Sequence, residues 1–95
     1  EVFDIRIIAG DFNANFSAQT IQTWLKRINF QAAFGERNCT VCPTQNPLCH
    51  RDQKKDFLID NVLCQGSQKI SSQLLFNRKE EFISDHYGQL VEIKL

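Results

Sequence analysis

The sequence predicts a single α+β domain in which one amphipathic helix packs on short, mostly antiparallel strands. Several runs of β-branched and apolar residues are bounded by turn residues, which is typical of strands. One stretch near the N-terminus instead repeats apolar residues at helical spacing. Because 95 residues leave room for one core, residues 1–95 form one predicted unit.

The predicted elements follow in chain order. Residues 3–9 form a predicted buried strand, because both of its faces become apolar toward its end, and Gly10-Asp11 stops it. Residues 17–28 form a predicted helix with Ser17 as N-cap and an apolar stripe that consists of Ile21, Trp24, Leu25 and Ile28. Further strands are predicted at 30–34, 57–64, 70–76 and 89–95, and residues 36–56 form a long loop of the kind that is usually functional or cross-linked.

Composition and charge exclude several classes of protein. Eleven basic residues balance eleven acidic ones, so a broad basic surface for nucleic acid or anionic membrane is excluded for this chain. No apolar run approaches the ~20 residues of a membrane-spanning helix. The chain contains no Met and enters an apolar strand pattern at Val2, so we expect a fragment or a processed piece of a longer protein.

Four cysteines are an unusual feature of so short a chain, and three of them lie in the predicted loop. Cys39, Cys42, Cys49 and Cys64 allow three disulfide pairings, and a mixture of one bridge and buried thiols is another alternative. A zinc site of the Cys3His type is a third alternative, with Cys64 or His50 completing the ligand set. The spacing between Cys42 and Cys49 matches no standard zinc finger, so disulfides or thiols are favoured.

Two glycosylation sequons bear on the location of the protein. They are Asn15-Phe16-Ser17 and Asn38-Cys39-Thr40. Together with the four cysteines they favour a secreted or lumenal location, which the rest of the sequence leaves open.

Polar residues that interrupt or follow the strands are the candidate functional residues. Asp11 and Asn13 come directly after the first strand, and Asp85-His86 come just before the last one. Asp60 lies inside an apolar strand, where an unpaired carboxylate would cost several kcal/mol, so it needs a partner. We expect that partner to be His86. The alternative interpretation of these short segments is that they are ordinary turns.

These residues, in this order, resemble the endonuclease/exonuclease/phosphatase superfamily, the DNase I-like Mg²⁺-dependent phosphoesterases. Three motifs at strand boundaries carry the resemblance: Gly10-Asp11-Phe12-Asn13-Ala14, Ile59-Asp60 and Ser84-Asp85-His86-Tyr87. The loop that begins with Thr40-Val41-Cys42-Pro43 and ends with Asn46-Pro47-Leu48 is similar to a Thr-Trp-Asp-Pro and Asn-Pro-Leu loop in several branches, with Val41 and Cys42 in place of Trp and Asp.

The resemblance implies that the chain is the C-terminal half of a four-layer α/β sandwich. The family's N-terminal half supplies an early Asn, a metal-binding Glu and a second His, and no residue before Asp11 matches them. The resemblance therefore implies that the isolated 95-residue chain is inactive. It also implies two kinds of partner: the N-terminal half of the same fold, or a second copy bound through the exposed sheet.

The resemblance further implies a role for five residues. Asp11 would orient or activate the attacking water, and Asn13 would contact the scissile phosphate. Asp85 would help to bind Mg²⁺ or Mn²⁺, with Asp11 and Asn13 beside it. His86 would protonate or stabilise the phosphoryl group, and Asp60 would orient His86.

The implied activity is metal-dependent hydrolysis of a phosphoester of the nuclease, sphingomyelinase or phosphatase type. The substrate would be nucleic acid, phospholipid or inositol phosphate, among which the five residues do not choose. The alternative is a non-catalytic binding or scaffold module stabilised by its cysteine cluster, through zinc or disulfides.

Overall fold

The computed structural model of the chain describes residues 4–35, 38–49, 55–66 and 69–94. Its elements, in chain order, are β1 Arg6–Asp11, α1 Gln19–Ile28, β2 Gln31–Ala32, β3 Asp60–Gln65, β4 Lys69–Leu75 and β5 Gly88–Lys94. Two antiparallel sheets and one helix confirm the predicted α+β class. The predicted strand ends at positions 3 and 95, parts of the predicted loop, and His50 lie outside the described residues.

Strand β3 is the centre of the first sheet, because β1 pairs with one of its edges and β2 with the other. The register places Asp11 at the end of β1 directly opposite Asp60 at the start of β3. Strand β2 is only two residues long, and the buried side chain of Asn61 extends its attachment to β3. Asn61 Nδ2 donates to the Phe34 carbonyl at 3.0 Å, and Asn61 Oδ1 accepts the Phe34 N–H at 3.1 Å.

Strand β1 is exposed along its whole length, so the prediction of a buried strand was wrong. Ile7 is 54% exposed and Ile8 is 42% exposed. Successive side chains point to opposite faces of a strand, so both faces of β1 are open. The apolar pattern shows which side chains can be buried, but β1 lies at the edge of its sheet and the described residues do not cover it.

Helix α1 packs on the first sheet through Leu25. This side chain joins a core cluster whose other buried members are Phe16, Phe34, Leu58 and Leu63, and Ile21 packs against it. Trp24, predicted on the same stripe, is 38% exposed and lies at its margin. No helix among the described residues is long and apolar enough to cross a membrane.

The ends of α1 differ in how they are capped. Ala18, not the predicted Ser17, is the N-cap residue, and no side chain caps the first turn. At the other end Asn29 adopts the left-handed conformation with φ 58°, and its N–H bonds to the carbonyls of Leu25 and Lys26. The helix is therefore stabilised mainly by its C-cap and by the packing of its apolar face.

A second, smaller core anchors the predicted loop to the segment that leads into β3. Val41, Cys49 and Ile59 are buried there, with Phe57 packed against them. Val41 and Phe57 form an isolated antiparallel bridge, and the N–H of each donates to the carbonyl of the other. The predicted strand at 57–64 therefore begins as a bridge and becomes regular at Asp60.

Candidate functional site

Asp60 and His86 form a close side-chain pair at the start of β3. Oδ2 of Asp60 lies 2.8 Å from Nδ1 of His86, and both side chains are partly buried. The predicted pairing is therefore confirmed. With a proton on Nδ1 donated to the carboxylate, the ring is held in one orientation and one tautomer. Nε2 is then the nitrogen through which His86 can act on another molecule.

Asp11 completes a group of three titratable side chains. Each of Asp11, Asp60 and His86 offers one possible ligand atom, and these three atoms lie within 4.8 Å of one another. The two carboxylates belong to directly opposed residues of β1 and β3, and like charges in that position are destabilising. A positive charge between or beside them offsets this repulsion, and either the imidazolium or a bound cation can supply it.

A compact turn follows Asp11. The N–H of Asn13 donates to Oδ1 of Asp11 at 2.8 Å, and Asn13 has a φ of 50°, which asparagine tolerates better than most residues. The Phe12 N–H donates to the Ile59 carbonyl at 2.8 Å, which continues the pairing of β1 with β3 just beyond Asp11. The segment therefore forms a turn, and the catalytic role of Asn13 stays a prediction.

The corner that carries His86 is held by one hydrogen bond from a loop residue and by two bonds within the corner. Asn46, which is buried, donates from Nδ2 to the Ser84 carbonyl at 2.6 Å. The His86 N–H donates to the Ser84 hydroxyl at 3.1 Å. The Ser84 hydroxyl in turn donates to Oδ1 of Asp85 at 3.3 Å. Within the described residues, Asp85 is not part of the group that Asp11, Asp60 and His86 form.

Two residues without a predicted role hold the backbone of Asp60. The buried Thr40 hydroxyl oxygen accepts the N–H groups of Ile59 and Asp60, both at 3.2 Å. Gln89 on β5 donates from Nε2 to the Asp60 carbonyl at 2.8 Å. The resemblance had marked the loop that contains Thr40 without assigning it a role. A polar residue next to apolar Val41 in a loop was the only signal available in the sequence.

The cysteines adopt one of the states left open by the sequence. Cys39 and Cys42 form a disulfide, and Cys49 and Cys64 are free, buried thiols. An oxygen of Asp56 and the two bonded sulfurs lie within 4.8 Å of one another. Cysteines bonded to each other have no thiolate to give to zinc, so the described residues form no Cys3His site in this state. Burial raises the pKa of the Cys64 thiol and keeps it protonated.

Tyr87 anchors the chain immediately after His86. Its ring is buried and stacks on Phe82 with 5.9 Å between ring centroids. Its hydroxyl finds no hydrogen-bond partner among the described residues. Burial, and then the nearby charges of Asp56 and Cys49, raise the pKa of Tyr87, so the phenol stays neutral at neutral pH.

No family model, curated protein or solved structure matches this chain. The side-chain arrangement around Asp60 and His86 is therefore the basis for its proposed function.

Proposed function

We propose that this chain carries part of the active site of a Mg²⁺- or Mn²⁺-dependent phosphoester hydrolase that works by in-line attack of water. One observation carries the proposal. Asp11, Asp60 and His86, which are far apart in sequence, converge to within 4.8 Å at one end of the first sheet. Two carboxylates beside an imidazole supply the groups that metal-assisted phosphoester hydrolysis uses.

His86 and Asp60 act as one unit in this proposal. The bond between Asp60 Oδ2 and His86 Nδ1 leaves Nε2 to donate a proton or a hydrogen bond to a phosphoryl oxygen. The Asp60 carboxylate offsets the positive charge of the imidazolium before His86 donates its proton. Asp60 is thus a positioning residue and His86 a catalytic residue.

A divalent cation fits the oxygen atoms of this group. Mg²⁺ and Mn²⁺ prefer oxygen ligands, and the Asp11 carboxylate supplies one beside the Asp60–His86 pair. Asp85 and Asn13 are further ligands implied by the resemblance. When bound, the ion would offset negative charge on the phosphoryl oxygens.

Asp11 is the group best placed to handle the attacking water. It is exposed, and the Asn13 N–H occupies only its Oδ1 atom. The second carboxylate oxygen can orient a water molecule and accept its proton. The resemblance gives Asn13 the complementary role of contacting the scissile phosphate.

The substrate class stays open among nucleic acid, phospholipid and inositol phosphate. A formal net charge of zero gives this chain no strong attraction for a polyanion that is gripped at many phosphates. The exposed strand β1 is the proposed contact for the other half of the fold or for a second copy, because its apolar faces and free edge can pair with another strand.

Hydrolysis of bis(4-nitrophenyl) phosphate tests this function. Its leaving group is a stable anion, so weak catalysis is measurable even where a natural substrate is not cleaved. Together with the N-terminal half that the resemblance implies, the chain should release 4-nitrophenolate in a reaction that needs Mg²⁺ or Mn²⁺ and stops when EDTA is added. Release that is unchanged by EDTA, or absent with either ion, would contradict the proposal.

The Cys39–Cys42 disulfide favours a second candidate function, a non-catalytic binding module stabilised by its cysteines. Such a module would be a folded monomer whose stability falls sharply with a reductant or, if a metal is held instead, with a chelator. The hydrolase proposal expects self-association through β1 or a requirement for a partner. Mass from size-exclusion chromatography, with and without chelator and reductant, distinguishes the two.

A further inference from the structure

The Cys39–Cys42 disulfide closes a ring of four residues whose interior contacts Asp60 and the residue that follows His86. Thr40 and Val41 lie inside the ring and are fully buried. The Thr40 hydroxyl oxygen accepts the Asp60 N–H at 3.2 Å. The Thr40 carbonyl accepts the N–H of Tyr87, the residue after His86, at 2.8 Å. One residue therefore bridges the start of β3 and the corner that precedes β5.

We propose that Thr40 is the positioning residue of the Asp60–His86 pair and that the Cys39–Cys42 disulfide fixes Thr40 in place. Reduction of the disulfide would then uncouple the pair, which makes the candidate site sensitive to the redox state of its surroundings. The inference deepens the proposed function, on which its catalytic meaning rests, whereas the geometry of the pair can be measured without any turnover.

The disulfide acts locally in this proposal. A ring of four residues closes a very short loop, so it restricts the unfolded chain less than a long-range disulfide does. Inside the ring, however, Thr40 lies between the two bonded cysteines, and it forms hydrogen bonds to both Asp60 and Tyr87. The effect of reduction should therefore be concentrated on the residues that Thr40 contacts, while the core cluster around Leu63 stays intact.

The chemical step is thiol–disulfide exchange with a dithiol. Cys39 is partly buried and Cys42 is fully buried, so the Cys39 sulfur is the more accessible target. A thiolate of the dithiol attacks Cys39, the bond to Cys42 breaks, and the Cys42 thiolate takes a proton. The second thiol of the reductant then displaces Cys39, which takes the other proton, and the reductant leaves as a disulfide.

The tautomer of His86 reports directly on the pair. In a ¹⁵N-labelled chain, long-range correlations distinguish a proton on Nδ1 from a proton on Nε2. The chain has two histidines, and the signal of His86 is identified by its loss in His86→Ala. In the oxidised protein we expect the Nδ1–H tautomer, because Nδ1 faces Oδ2 of Asp60.

Three comparisons test the role of Thr40. Thr40→Ser keeps the hydroxyl and should keep the Nδ1–H tautomer. Thr40→Val removes the acceptor of the Asp60 N–H and should shift His86 toward the Nε2–H tautomer. Thr44→Val changes an exposed threonine of the same loop, whose hydroxyl contacts Asp56, and should have no effect.

Reduction of the wild-type chain with dithiothreitol should produce the same shift as Thr40→Val, and reoxidation should reverse it. A Cys39→Ser/Cys42→Ser chain should show the shifted tautomer and no response to the reductant. Persistence of the Nδ1–H tautomer in the reduced chain, or in a folded Thr40→Val chain, would overturn the inference. If circular dichroism shows that Thr40→Val does not fold, the tautomer of His86 in the reduced wild type decides whether the inference holds. A shifted tautomer, together with a complete enzyme that has no hydrolytic activity, would leave this inference standing and count against the proposed function alone.

Discussion

Asp11 and Asp60 lie directly opposite each other across β1 and β3, and the Asp60 carboxylate bonds to the imidazole of His86. Two carboxylates in that position repel each other, and a positive charge beside them would offset that repulsion. A cation bound at this end of the sheet would reduce the repulsion between the two carboxylates.

Removal of the His86 side chain or of the Asp11 charge should lower turnover strongly without unfolding the chain. His86→Ala removes the proton donor and Asp11→Asn removes the group that accepts the proton of water, so each should lower turnover by about 10²–10⁴-fold. The measurement is Mg²⁺-dependent release of 4-nitrophenolate by the complete enzyme, with circular dichroism to verify folding. Glu92→Gln on β5 is the control, since it removes an exposed carboxylate outside the group. Normal turnover in both variants would show that the catalytic assignment is wrong.

Asp60→Asn should lower turnover less than His86→Ala does. The amide oxygen can still accept the Nδ1 proton of His86, so orientation is partly kept while the stabilising charge is lost. The same hydrolysis assay measures the ratio of the two effects. An equal loss in both variants would indicate that Asp60 has a separate role, with direct metal binding as the first one to examine.

A charge on β1 should weaken self-association of the chain. Ile7 is 54% exposed on an edge strand, and lysine on an edge strand opposes pairing with another chain. We expect concentration-dependent dimers of the wild type in sedimentation equilibrium and weaker association of Ile7→Lys. Ile83→Lys is the matched control, because Ile83 is 69% exposed but lies outside the strands. Equal association constants for the wild type and Ile7→Lys would exclude β1 as the contact.

Stability should fall at alkaline pH, partly because of Tyr87. Its pKa is raised above the ordinary 10.0, so the folded state holds the phenolic proton more tightly than the unfolded chain does. That contribution is fully present below pH 10.0 and is lost as the pH rises through the raised pKa. The raised pKa of Cys64 acts in the same direction above pH 9.0.

Tyr87→Phe should flatten this alkaline decline. It should also leave stability at neutral pH unchanged or raise it by up to about 1 kcal/mol, because the lost hydroxyl finds no partner among the described residues. Urea unfolding followed by the fluorescence of the only tryptophan, Trp24, measures both effects. An alkaline decline as steep in Tyr87→Phe as in the wild type would exclude Tyr87 as a contributor.

The pairing of Asp60 with His86 could be predicted from the sequence because it follows from the cost of burying an unpaired charge. An aspartate in an apolar strand needs a partner, and this cost identified His86 as the partner of Asp60, as the structure confirms. The strands and the helix were predicted near their observed positions, since their periodicity is strong.

Other features depended on what surrounds a residue in space, which sequence periodicity does not encode. The exposure of β1 depends on which strands lie beside it, and the N-cap at Ala18 depends on how the chain enters α1. The role of Thr40 depends on a contact across the fold to Asp60. The choice of Cys39 and Cys42 as the bonded pair also needed the geometry of the loop.

The binding of Mn²⁺ measured by NMR tests the central claim most directly. Mn²⁺ broadens the signals of nuclei close to it, so the site is located from the residues whose amide signals vanish first, with Mg²⁺ as a competing ion that does not broaden. We predict that the signals of Asp11, Asp60 and His86 vanish first, that Mg²⁺ restores them, and that Asp11→Asn prevents the effect. Broadening that centres on Asp56 and the Cys39–Cys42 loop, or no saturable broadening, would contradict the proposed metal-dependent site.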